Sequence, residues 1–112
     1  MTQKEKSRFR YSDEWKAFRL LCKRKSGGVD YITGEPLQRG WELHHLDLSS
    51  DGYTKIGNVQ DFICVNHTTH TYLHYLYTLM QDLSDEELTK KSVIILNRFA
   101  DVLIDMRKRE RV

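Results

Sequence analysis

Cysteine, proline and long apolar runs are all scarce in this chain. Cys22 and Cys64 are the two cysteines among 112 residues, and their separation in sequence excludes a Cys-x-x-Cys zinc knuckle. No apolar run approaches membrane-spanning length. The first ten residues are polar and basic with no apolar stretch behind them, so we expect no secretory signal peptide. We therefore expect a soluble, cytoplasmic protein whose two cysteines are buried or idle thiols.

Charge is unevenly distributed, although the formal net charge is only +2. Residues 1–25 carry nine Lys or Arg against three Asp or Glu, whereas residues 26–106 carry five basic and twelve acidic side chains. A basic segment beside an acidic body is typical of a phosphate-binding arm, and also of an ordinary solvated tail.

The pattern of apolar and polar residues predicts one α+β domain over residues 1–112. Its expected parts are a basic arm at 1–11, a helix at 12–26, a core at 29–82 and a C-terminal helix at 84–109. Ser12 is a good N-cap for the first helix, and Ser84 with Glu87 forms a capping box for the last. The last helix carries one apolar face, which either closes the core or forms a dimer interface: Leu88, Ile95, Phe99, Val102, Leu103 and Met106.

Within the core segment, the pattern predicts a tight turn at residues 30–37 and a strand that contains Trp41 and Leu43. A polar loop at residues 47–57 and a second strand at residues 62–65 follow. A helix should then run from about residue 66 to residue 81, with the Tyr and Leu residues between the histidines packed in the core. The two strands would form a hairpin, and the helix would complete a ββα unit.

Histidine is confined to one 31-residue window. His70 and His74 have i, i+4 spacing, which places both rings on one face of the predicted helix. His44 and His45 are neighbours on a predicted strand and therefore point to opposite sides. A ββα unit would bring His44 to the helix pair, which predicts a three-imidazole site for one divalent ion. Imidazoles suit Zn²⁺, Ni²⁺ or Mn²⁺, and Mg²⁺ suits them less.

These residues resemble the HNH (His-Me finger, ββα-metal) nuclease motif, and the chain is most similar to small HNH proteins of bacteriophages. The resemblance covers about residues 30–77 and includes the turn at residues 33–37. It rests on the segment at residues 41–47, on Asn58, on residues 62–70 and on His74. The chain departs from many members in lacking two Cys-x-x-Cys pairs, so we expect only the catalytic metal.

The resemblance implies a role for each matching residue in metal-dependent hydrolysis of DNA phosphodiester bonds in a bacterial or phage-infected cell. His44, His70 and His74 would bind the metal, and His45 would be the general base. Asn58 would be the middle Asn of the motif, although Asn66 also fits. His67 is a rival ligand, and Asp47 is either a carboxylate that orients a histidine or a residue that starts a loop.

DNA, in double-stranded form, is the expected partner, and its backbone would be contacted by basic residues near the N-terminus. These are Lys4, Lys6, Arg8, Arg10, Lys16, Arg19, Lys23, Arg24 and Lys25, with Arg39 and Lys55 as candidates near the site. The alternative function is a non-catalytic module that keeps the fold and the metal to bind DNA or a protein. A structural zinc site in a protein-interaction domain is a further alternative. One site per chain suggests nicking, and a double-strand cut would need a homodimer or a second event; the sequence leaves both open.

Overall fold

The structure is a computed structural model that describes residues 2–5, 12–46 and 58–111. Within those ranges the fold is α+β, as predicted. The helices are α1 (Asp13–Lys25), α2 (His67–Met80) and α3 (Asp85–Glu110), and the strands are β1 (Glu42–His45) and β2 (Phe62–Val65). Most of the predicted basic arm and the polar loop at residues 47–57 lie outside the described residues.

Side-chain caps determine where two of the helices begin. The Ser12 hydroxyl accepts a hydrogen bond of 3.2 Å from the Trp15 backbone N–H, which confirms the predicted start of α1. At α3, the Glu87 backbone N–H donates to Ser84 Oγ at 3.2 Å, while Ser84 Oγ donates to the Glu87 carboxylate. Each cap satisfies an N–H group that the first helical turn leaves without a partner.

The two strands form an antiparallel hairpin in which Glu42 pairs with Val65 and His45 pairs with Phe62. A 3₁₀ turn at Val59–Asp61 leads directly into β2. α1 lies against this pair of strands, and one apolar core results: Trp15, Phe18, Cys22, Trp41, Leu43, Phe62 and Cys64. Both cysteines are free and buried, as expected, and burial raises the pKa of Cys22 to about 11.

A buried carboxylate joins the turn before β1 to the start of α2. Asp30 is 1% exposed, and its Oδ1 accepts from the backbone N–H groups of Ile32 and Thr33. Its Oδ2 accepts from the backbone N–H of Asn66 at 2.7 Å. Gly34 closes the turn with a φ of +75°, a conformation that side chains with a Cβ rarely adopt. Asp30 therefore fixes the first residue of the segment that carries the helix histidines.

The chain divides into two compact units, Met1–His74 and Tyr75–Val112. α3 lies in the second unit and, although all its residues are described, has no buried residue. The expectation that Tyr72 packs in the core is wrong, since it is 51% exposed. Across the described residues, no helix is both long and apolar enough to cross a bilayer.

Candidate metal centre

The first element of the candidate site is β1, which presents two adjacent histidines in different environments. The His45 ring stacks on Trp15 of α1, with the ring centroids 6.2 Å apart, and meets the edge of Phe62 at 4.8 Å. The His44 ring instead packs against His70 and His74 of α2. This difference follows from the alternation of side chains along a strand.

The second element is α2, where the i, i+4 spacing places two imidazoles one above the other. The His70 and His74 ring centroids are 4.5 Å apart, and their Nε2 atoms are separated by 3.1 Å. The His44 ring centroid lies 5.1 Å from that of His70 and 5.2 Å from that of His74. The strand histidine and the helix pair therefore converge, as the sequence predicted.

The donor atoms of these three rings suit a single cation. One nitrogen from each of His44, His70 and His74 lies within 4.8 Å of the other two. Tetrahedral Zn–N bonds of normal length place two ligand nitrogens about 3.3 Å apart, which is close to the 3.1 Å between the helix histidines. Neutral imidazoles are good ligands for borderline transition metals.

The environment of His44 provides a second test of this fit. Its Nδ1 is buried and has no hydrogen-bond partner among the described residues. A buried polar nitrogen in that state is costly, and a cation is one way to satisfy it. The pKa of His44 is lowered to about 4, first by burial and then by His70, His74 and His45. His44 is therefore neutral at pH 7, which is the state that can bind a metal.

Glu42 belongs to the same cluster, although the sequence pattern predicted no role for it. Its Oε2 lies 2.7 Å from His70 Nδ1 and 3.3 Å from His67 Nδ1. An ionised carboxylate only accepts hydrogen bonds, so His70 donates its Nδ1–H and keeps the Nε2 lone pair for a cation. A signal was present, because residues 42 and 44 share one face of a strand.

The other residues proposed around the metal have different positions. His67, the rival ligand, has a side chain 75% exposed and lies outside the group of three. Asn66 Oδ1 accepts from the Gln38 backbone N–H, and its Nδ2 donates to the Pro36 carbonyl. Asn58 precedes the 3₁₀ turn and makes no side-chain cap there. Asp47 lies outside the described residues, so its proposed role stays a prediction.

The basic residues proposed to contact DNA fall into three groups. Arg19 lies over the Trp41 ring, 3.7 Å from its centroid, and donates to the Trp41 carbonyl; burial is the main cause that lowers its pKa. Lys23 Nζ lies 5.9 Å from the same ring. The exposed members are Lys4, Lys16, Arg24, Lys25 and Arg39. The members outside the described residues are Lys6, Arg8, Arg10 and Lys55.

Comparisons of the chain with family models, with curated proteins and with solved structures found no match.

Proposed function

We propose that this chain is a metal-dependent HNH endonuclease that hydrolyses DNA phosphodiester bonds on a ββα-metal core. The observation that carries the proposal is the convergence of His44, His70 and His74, with a further imidazole, His45, adjacent on the same strand. Zn²⁺, Ni²⁺, Mn²⁺ and Mg²⁺ are the candidate ions, and the all-nitrogen ligand set favours the first three.

The number of ligands supports a catalytic rather than a structural ion. Structural zinc sites have four protein ligands, whereas catalytic sites have three and leave a coordination position open. Among the described residues, the candidate group contains three members. When bound, the ion would supply electrostatic stabilisation of the charge that develops on the phosphate oxygens.

The residues of the chain would divide the remaining work. His44, His70 and His74 hold the ion, and Glu42 orients His70 through the hydrogen bond to Nδ1. His45 takes a proton from the attacking water as a neutral imidazole. Trp15 and Phe62 fix the His45 ring by packing against it, so the general base is already oriented before the reaction begins. Asn58 would help to orient His45.

The packing of His45 also favours the second candidate function, a non-catalytic module of the same fold that binds DNA or a protein. An imidazole stacked on Trp15 has a role in the core whether or not it transfers a proton. The two functions therefore differ in whether His45 transfers a proton: nicking by the wild type that is lost on substitution of His45 supports the enzyme, and a wild type that does not nick supports the module.

The deciding experiment is a supercoiled-plasmid nicking assay on the full chain, with each candidate metal and with chelator. We expect nicking by the wild type that chelator abolishes and that metal restores. His45→Ala should lose nicking by at least roughly 100-fold, the scale of general-base catalysis, while titration calorimetry shows metal binding retained. His67→Ala, which removes an exposed histidine outside the group, is the matched control and should nick normally.

Two results would contradict the proposal. If the wild type binds metal but nicks DNA with none of the four metals, the non-catalytic module is favoured. Nicking that persists in chelator, or in a His70→Ala protein that no longer binds metal, excludes the metal-dependent mechanism. Circular dichroism of each variant checks that the substitution has not unfolded the protein.

A further inference from the structure

α3 carries more apolar surface than the described residues cover. The helix spans Asp85–Glu110, and none of its residues is buried. The half-buried side chains Ser92 and Ile95 mark its better covered side, and Ser92 Oγ lies 3.8 Å from the buried Met80 sulfur. Apart from Ile95, the large apolar side chains of α3 from Val93 to Met106 are about half exposed or more, and Leu88 is 39% exposed. Continuous exposed apolar surface of this kind usually marks an interaction site.

One stripe on the more exposed side has the spacing of a helix-pairing seam. Val93, Leu96, Ala100 and Leu103 follow one another at intervals of three, four and three residues, which keeps them on one face. Val93 is 56% exposed, Leu96 is 69% exposed and Leu103 is 53% exposed. We name these four residues the α3 stripe. Ala100 is small, so a partner helix can approach the centre of the stripe closely.

The charges at the two ends of α3 select the direction of a partner. The first turn contains Asp85, Glu86 and Glu87, and the last turn contains Arg107, Lys108 and Arg109. Each set also suits the dipole of its own helix. A second copy lying antiparallel would bring the acidic turn of each chain against the basic turn of the other. A parallel copy would place like charges together at both ends, which is unfavourable.

We propose that α3 is a homodimer interface, on which α3 of a second copy of this chain lies antiparallel along the α3 stripe. In the register that centres the stripe, Val93 lies opposite Leu103 of the second chain and Leu96 lies opposite Ala100. The same register places Asp85 opposite Arg111, Glu87 opposite Arg109 and Thr89 opposite Arg107, and it sets Glu86 opposite Glu110. The interface is isologous, as in most homodimers, and it does not depend on the nuclease activity.

The first test is analytical ultracentrifugation of the full chain without metal or DNA, from low micromolar to several hundred micromolar. The wild type should show a reversible monomer–dimer equilibrium. Leu96→Glu buries a charge at the centre of the interface and should raise the dimer dissociation constant at least roughly 100-fold. Asn97→Glu, at the neighbouring exposed position off the stripe, is the matched control and should dimerise like the wild type.

A wild type that is monomeric throughout this range overturns the proposal. So does a Leu96→Glu protein that dimerises as tightly as the control. Because these measurements contain no metal or substrate, their failure leaves the proposed endonuclease untouched, and a chain that does not nick DNA can still dimerise.

The second test determines the direction of pairing by disulfide cross-linking. Thr89→Cys and Arg107→Cys chains are prepared separately, mixed and oxidised; the native Cys22 and Cys64 are buried. Antiparallel pairing predicts that the cross-linked dimer contains one chain of each kind, and that neither variant cross-links efficiently alone. Efficient cross-linking of the Thr89→Cys chain with itself indicates parallel pairing and overturns the proposed arrangement.

Discussion

Glu42 Oε2 lies 2.7 Å from His70 Nδ1, so a carboxylate on β1 holds an imidazole on α2 in a defined orientation. The hydrogen bond uses the ring nitrogen that faces away from His74 and leaves Nε2 available for a cation. Carboxylates in this position orient the ligand and increase its basicity. The strand that carries His44 thus also aligns the candidate ligand on the helix opposite to it.

Replacing Glu42 should weaken metal binding without removing a ligand. We expect Glu42→Ala to lower the affinity by roughly 10–100-fold, the usual effect of losing such a carboxylate. Glu42→Gln keeps an oxygen that accepts from His70 Nδ1 and should recover part of the loss. Titration calorimetry with Zn²⁺ or Ni²⁺ measures both effects. Glu35→Gln, in the exposed turn before β1, is the control. Equal affinities for all four proteins would show that Glu42 does not act on His70.

The two helix positions His67 and His70 should differ sharply in their contribution to the metal site. His70→Ala removes a member of the three-nitrogen group and should lower metal affinity by at least roughly 100-fold. His67→Ala removes a side chain that is 75% exposed and should change the metal affinity by less than about threefold. The same calorimetric titration decides between them. A larger loss from His67→Ala would mean that the rival ligand, and not His70, completes the site.

Asp30 should couple protein stability to pH in the acidic range. Burial alone would raise its pKa, but hydrogen bonds from Asn66, Thr33, Thr69 and Ile32 outweigh burial and hold the pKa below its usual value. A carboxylate whose pKa is lowered on folding stabilises the protein above the unfolded pKa. That stability is lost as pH falls through the folded value. The loss should therefore develop below about pH 4.

Urea unfolding of the metal-free protein between pH 3 and pH 7 measures this effect. In Asp30→Asn, an amide replaces the carboxylate whose Oδ2 accepts the hydrogen bond from the Asn66 N–H. The free energy of unfolding at pH 7 should therefore fall by roughly 2–4 kcal/mol. Because the variant cannot titrate at this position, the difference from the wild type should shrink toward pH 3. Asp101→Asn, on the exposed middle of α3, controls for a general charge effect. A difference that stays constant with pH would exclude the ionised carboxylate as its cause.

Substitutions of Asn58 and Asn66 should have different consequences: loss of nicking activity for Asn58 and loss of stability for Asn66. The Asn66 side chain bonds the backbone at Gln38 and Pro36, so Asn66→Ala should lower the free energy of unfolding by roughly 1–3 kcal/mol. Asn58 is exposed and makes no cap, so Asn58→Ala should leave stability within about 0.5 kcal/mol while it reduces nicking. Urea unfolding and the nicking assay are read together. If the Asn58→Ala protein keeps full activity, Asn58 is not the middle Asn of the motif.

The sequence predicted those features that local patterns determine. Ser12 and Ser84 identified the helix starts because capping is a local interaction, and the i, i+4 spacing of His70 and His74 identified their shared face. The roles of Glu42 and Asp30 were missed because each depends on a partner on another element: His70 for Glu42, and the Asn66 backbone for Asp30. The contact of Arg19 with Trp41 was missed for the same reason, since only the folded chain places the guanidinium over that ring.

The basic N-terminal segment provides the last prediction, which concerns DNA affinity and not the metal. Deleting residues 1–10 removes Lys4, Lys6, Arg8 and Arg10, and each phosphate contact contributes about 0.9 to the slope of log affinity against log salt. If all four contact phosphates, that slope should become shallower by roughly three to four. Fluorescence anisotropy with a labelled duplex, at several salt concentrations in chelator, measures this slope.

Lys91→Gln on α3 removes one exposed positive charge from another part of the chain and should leave the slope unchanged. Equal slopes for the truncated and full-length proteins would mean that the arm makes no phosphate contacts. The exposed lysines and arginines of α1, together with Arg39 and Lys55, would then be the remaining candidates for holding the duplex.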